Sequence, residues 1–129
     1  MSLQDQASSA GGILTIDLDA IKANYHQLND RLRDGCTLGA VVKADAYGLG
    51  MARVAPALWS AGCKTFFVAL MHEGLALRAL LPDAQIQVFN GTDAESAPAM
   101  AAAGLIPVLN HPGQIEAWHM EATRLGKSL

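Results

Sequence analysis

Leu38-Gly39-Ala40-Val41-Val42-Lys43-Ala44-Asp45-Ala46-Tyr47-Gly48-Leu49-Gly50 is the stretch on which the reading of this chain turns. Its first five residues are apolar without alternation, as in a strand covered on both faces. The run stops abruptly at Lys43. Ala44 to Gly50, with two glycines, is turn-forming, and a helix is predicted over Ala52 to Ala61, with Val54, Leu58 and Ala61 on one side before Gly62 closes it. One strand, one loop and one helix therefore follow in order.

The same unit recurs downstream. Strands are predicted at Thr65 to Leu70, Ile86 to Phe89 and Leu105 to Leu109. Helices follow them at His72 to Leu81 (stopped by Pro82), Asp93 to Ala103 (closed by Gly104) and Gln114 to Leu125. Upstream, Ile13 to Leu18 is predicted to be a strand, with Asp19 at the N-cap position of a helix. That helix carries Ile21, Tyr25, Leu28 and Leu32 as one stripe and ends near Gly35. Strands joined by single helices must run parallel, with right-handed crossovers, so the class is α/β. Two architectures fit this alternation, an open doubly wound sheet and a closed (β/α)8 barrel, and periodicity does not choose between them. Either one places its site in the loops after the strands, here Lys43, Leu70 to Glu73, Asn90 to Asp93 and Asn110 to Gly113.

Composition narrows the function classes. The chain has 129 residues, 51% of them hydrophobic and 16% charged, which is far from the polar mixture that keeps chains disordered. Nine basic against twelve acidic side chains leave a net charge of −3, with no electrostatic footprint for nucleic acid or an anionic membrane surface. No apolar run is long enough for a membrane span. Residues 1–12 lack the pattern of a secretory signal and are expected to form a flexible tail, which implies a cytoplasmic protein. Cys36 and Cys63 then read as reduced structural thiols.

Lys43 sits oddly for a lysine, at the carboxyl end of an apolar strand. Its head could simply reach solvent. Alternatively, apolar surroundings disfavour its ammonium form and leave a nucleophile able to form a Schiff base with an aldehyde. Tyr47, four residues on, would bring a phenol and a compliant glycine loop to a group bound over Lys43. The Gly48-Leu49-Gly50 pattern lacks both the third glycine of a dinucleotide fingerprint and the Lys-Ser/Thr of a P-loop.

The eleven residues Ala40 to Gly50, AVVKADAYGLG, resemble the cofactor-binding signature of the alanine racemases, pyridoxal-phosphate enzymes with a (β/α)8 barrel and a C-terminal β domain. The resemblance extends upstream to Ile16 through Tyr25 and downstream to about Leu125; Leu49 stands where the family frequently has His. It implies a barrel of which about four to five βα units, residues 13–129, are present. It implies that Lys43 holds pyridoxal 5'-phosphate, that Tyr47 lies beside the cofactor, and that the freed Lys43 amine is the acid/base group on one face of the substrate's Cα. The opposite face is served in the family by a tyrosine from the partner subunit's second domain, so a homodimer is implied for the full-length enzyme. The implied reaction is the interconversion of L- and D-alanine for peptidoglycan.

Length sets this expectation against itself. A (β/α)8 barrel alone takes about 250 residues, so the chain reads as roughly the N-terminal third of such an enzyme. Open strand edges and an uncovered apolar interior then predict self-association, pairing with further chain, or low stability. Three other readings stay open: a serine-preferring racemase, a decarboxylase relative or cofactor-handling protein of the same barrel type, and a catalytically inactive α/β module. His72 and His111 fall at the functional end without an HExxH spacing or carboxylate cluster, so no metal site is expected. His26 and His119 read as helix-surface residues, while Asn90-Gly91 and His111-Pro112-Gly113 read as turn chemistry first.

Overall fold

The structure, a computed structural model, describes residues 11–129. Most of the tail expected at 1–12 lies outside the described residues. Helix α1 spans Leu18–Asn29 and leads to strand β1, Gly39–Val41. Then come α2 (Met51–Ser60), β2 (Thr65–Val68), α3 (Met71–Leu80) and β3 (Gln85–Val88). Helix α4 (Ala97–Ala102), β4 (Leu105–Pro107) and α5 (Pro112–Leu125) complete the described residues. The four strands form one parallel sheet in the order β1-β2-β3-β4, with Ala40 beside Phe66, Phe66 beside Ile86 and Ile86 beside Leu105. Every connection carries a helix. The fold is thus the α/β, partial-barrel arrangement that the sequence implies.

Alternation decides which face each strand side chain takes. Phe66, Val68, Ile86, Val88 and Leu105 are all buried against the helices, where they meet Val54, Leu58, Leu77 and Met100. Side chains of the neighbouring register row, Val41, Phe67, Gln87 and Ile106, project from the opposite face. On that face Val41 is 38% and Ile106 45% exposed, and Phe67 stacks on Phe89 at 5.2 Å between ring centroids. The expectation of a β1 covered on both sides is therefore corrected: among the described residues only the helical side is covered.

Two upstream expectations also change. Ile13 to Leu18 does not form a strand: residues 12–17 have no regular structure and helix begins at Leu18. Ile13 and Leu14 are 71% and 78% exposed. An isolated extended segment has no ladder to satisfy its backbone, so apolar composition alone does not make it a strand. The helix cap is Asp17 rather than Asp19. The Asp17 carboxylate accepts from the Asp19 and Ala20 amides at 2.9 and 3.0 Å, while Asp19 pairs with Lys22 at 2.6 Å. Helix α1 also ends before the expected Gly35, at Asn29.

Candidate active site

The apolar strand delivers Lys43 at the point where the sheet ladder gives out. The Val42 amide still donates to the Phe67 carbonyl at 2.9 Å, and Val42 is 1% exposed. Lys43 is half-buried. From Ala44 the backbone changes hand: Ala44, Asp45, Ala46 and Tyr47 all have positive φ, between 50 and 57°. They form a left-handed turn closed by Ala46 N–H to Val42 C=O at 3.0 Å and Gly48 N–H to Ala44 C=O at 2.9 Å. For residues with a Cβ this conformation costs about 1–2 kcal/mol each, and it is ordinarily seen at single positions. Glycines follow at φ 82° for Gly48 and 91° for Gly50, where no Cβ is present to object.

Such strain persists only where the surroundings over-determine it. Two carboxylates do so here. Asp45 Oδ1 accepts from the Met51 amide at 2.7 Å and starts α2. Glu73, at the first turn of α3, accepts from the Ala44 amide at 2.6 Å through Oε1, and from the Ala69 and Leu70 amides at 2.8 and 3.0 Å through Oε2. Burial works against ionisation of Glu73. The three N–H donors, together with nearby His72, outweigh it and hold the carboxyl below its ordinary value.

Tyr47, 62% exposed, ends the left-handed turn with its ring centroid 5.9 Å from Lys43 Nζ. The two residues singled out in the sequence are thus side by side on the open end of the sheet. Of the other loop segments, Leu70 to Glu73 reaches the Lys43 loop through the bond from the Ala44 amide to Glu73. Asn90 and Asn110 join each other instead: Gln114 donates to the Asn90 carbonyl and accepts from the Asn110 amide, both at 2.8 Å. A cavity of about 600 Å³ opens beside them, lined by Val88, Thr92 and His111 among others, and neither Lys43 nor Tyr47 lines it. Among the described residues no three His, Cys, Asp or Glu side chains gather closely enough to hold a metal ion.

Glu73 and Asp45 lie in segments that the sequence marks for the functional end, but sequence reasoning gave neither side chain a role. A Glu three positions after a helix cap is a recognisable signal, but here the cap position holds Leu70, which has no side-chain acceptor to complete the usual reciprocal pair.

The family model for the N-terminal domain of alanine racemase matches residues 16–129. The chain belongs to this family. It is 50% identical to the alanine racemase of Brucella ovis over 129 residues, which cover 99% of this chain and 32% of the relative. Among solved structures, it is similar to the Bartonella henselae alanine racemase with covalently bound pyridoxal phosphate, at a TM-score of 0.82 and 43% identity over 87% of this chain and 33% of that one. A histidine racemase from Leuconostoc mesenteroides subsp. sake matches at a TM-score of 0.74 and 25% identity over 87% of this chain and 30% of that one. This alanine racemase family chain therefore spans about a third of the length of the relatives it matches. No helix among the described residues is long and apolar enough to cross a membrane.

Proposed function

We propose that residues 13–129 are the cofactor-holding portion of a pyridoxal-phosphate-dependent alanine racemase barrel. The observation that carries this reading is the placement of the half-buried Lys43, at the end of β1 and beside Tyr47, in a chain of the alanine racemase family. The residues fit part of the group. A primary amine at a strand end can hold the cofactor's aldehyde carbon, and an exposed phenol beside it can donate to or accept from the ring substituents. When bound, pyridoxal phosphate withdraws electrons from the substrate's Cα and makes its proton removable.

The chain's own residues then have distinct tasks. Lys43 Nζ anchors the cofactor and, once released from that bond, takes or returns a proton on one face of Cα. Tyr47 orders the pocket mouth beside that amine. The base for the other face is supplied by a partner subunit of the full-length homodimer. The working protein is cytoplasmic and supplies D-alanine for peptidoglycan.

Incubation with pyridoxal 5'-phosphate, reduction with borohydride and peptide mass analysis tests the anchor. The expected result is an adduct on Lys43 that disappears in Lys43→Ala, with Lys22, Lys64 and Lys127 as internal controls. No adduct on Lys43 in the parent chain sinks the reading. A second reading, racemisation of a bulkier amino acid, is favoured by the likeness to the histidine racemase. Comparing L-alanine with L-histidine and L-serine as substrates of the complete enzyme separates the two.

A further inference from the structure

We propose that Glu73 is a positioning residue for Lys43: by accepting the Ala44 amide it fixes the turn from which the Lys43 amine meets an aldehyde. This rests on the reading of Lys43 as the anchoring amine.

The argument begins where the β1–β2 ladder ends. In a parallel pair, alternate amides of one strand donate to the next. After Val42, whose amide donates to Phe67, the following donor of the same orientation is the Ala44 amide. The left-handed turn starts at that residue and carries the amide away from β2. Glu73 Oε1, 29 residues along the chain, takes the proton that the ladder no longer takes, at 2.6 Å. Its other oxygen takes the Ala69 and Leu70 amides just beyond β2. One carboxylate therefore stitches together the two strand ends at the open end of the sheet.

Capping α3 does not account for this arrangement. A helix cap explains the contacts to Ala69 and Leu70, which lie four and three residues from Glu73. It does not explain the contact to Ala44, which belongs to another βα unit and adjoins the lysine directly. Both oxygens are committed, so the task requires an acceptor-only group; a Gln would present its NH2 to one or other set of donors. With the Ala44 amide pinned on one side and Asp45 pinned to Met51 on the other, the lysine leaves the backbone at a fixed point.

The test compares the parent chain with Glu73→Gln and Glu73→Asp. The shortened Asp can still cap α3 but falls short of Ala44, so it separates helix capping from positioning and replaces Glu73→Gln should that variant not fold. Two labels are read at Lys43 by peptide mass. One is pyridoxal 5'-phosphate with borohydride, which requires a placed amine. The other is formaldehyde with cyanoborohydride, which requires only an accessible one. In each, the amine condenses with the aldehyde, water leaves, and hydride reduces the resulting C=N bond. Hydrogen exchange at the Ala44 amide is followed in parallel.

The expected result is exchange at Ala44 faster by at least about tenfold, as a lost hydrogen bond opens the site locally. Pyridoxal 5'-phosphate labelling of Lys43 is expected to fall about tenfold or more, since small misplacements carry large rate penalties. Formaldehyde labelling stays within about twofold, so access to the amine is kept, and a far-UV circular dichroism spectrum like that of the parent chain excludes unfolding as the cause of the split. Unchanged Ala44 exchange, or equal losses in both labels, overturns the inference. If the parent Lys43 takes no pyridoxal 5'-phosphate, the cofactor reading fails, and Ala44 exchange alone then decides whether Glu73 governs the turn.

Discussion

The guanidinium of Arg78 donates to the Gly104 carbonyl at 2.9 Å, tying α3 to the turn that feeds β4. The same side chain donates to the carbonyls of Ala103, Pro82 and Ala84 at 3.0, 2.8 and 2.7 Å. It therefore satisfies the carbonyls at the end of α4 and in the α3–β3 link at once. Its planar fork allows this, and a lysine's point charge cannot reproduce it. Arg78→Lys is expected to lose about 2 kcal/mol of stability, the scale of hydrogen bonds to a charged donor. Urea denaturation followed by circular dichroism measures it.

The carboxyl of Glu73 gives a pH signature. Its pKa is lower folded than unfolded, so its stabilisation is present above the unfolded value of about 4.3 and is lost as pH falls through the folded value. The stability difference between the parent chain and Glu73→Gln should be full at neutral pH and close as the solution is acidified below that value. Denaturant midpoints at neutral and acidic pH report it. A gap that widens on acidification would contradict the assignment.

Asp17 and Asp19 should respond differently to truncation despite their proximity. Asp17→Ala removes the side-chain acceptor that caps α1 and is expected to cost about 1 kcal/mol. Asp19→Ala removes an exposed pair with Lys22 and should be hard to distinguish from the parent chain. Paired thermal melts decide between them.

The two thiols differ in environment. Cys63 is fully buried, and burial pushes its thiol up against the opposing influence of hydrogen-bond partners that include Thr65 and Tyr25. Cys36 is exposed and free. Because the thiolate is the reactive form, iodoacetamide should modify Cys36 in the folded chain and reach Cys63 only in denaturant. Peptide mass analysis with and without urea separates the two.

Much of this architecture is legible in the chain itself. Four apolar runs separated by helix-length, amphipathic segments allow only parallel pairing, and each strand appears within a few residues of its expected place. The failure at Ile13 to Leu18 is instructive, because apolar alternation marks a segment that would suit a sheet, while a strand also needs a neighbour. In the site, Lys43 and Tyr47 stand out because both fall within the eleven-residue run Ala40 to Gly50 that resembles a family signature; their spacing alone leaves a solvated lysine open. Glu73 is hidden because its decisive partner, Ala44, is 29 residues away, and distance along the chain erases local pattern. The handedness of the turn is hidden for a different reason: alanine is a strong former of right-handed helix, and only the glycines hint at anything else.

That reversed turn constrains what the loop can be made of. Any β-branched side chain at residues 44 to 46 would be forced into a conformation it strongly resists, whereas Ala is small and Asp is among the residues that tolerate it best. The small side chains of Ala44 and Ala46 then serve the hand of the turn and not the chemistry at the amine. The turn's composition reflects steric tolerance: the backbone next to Lys43 is wound against the natural hand, and from residue 44 to residue 47 no position carries a β-branched side chain.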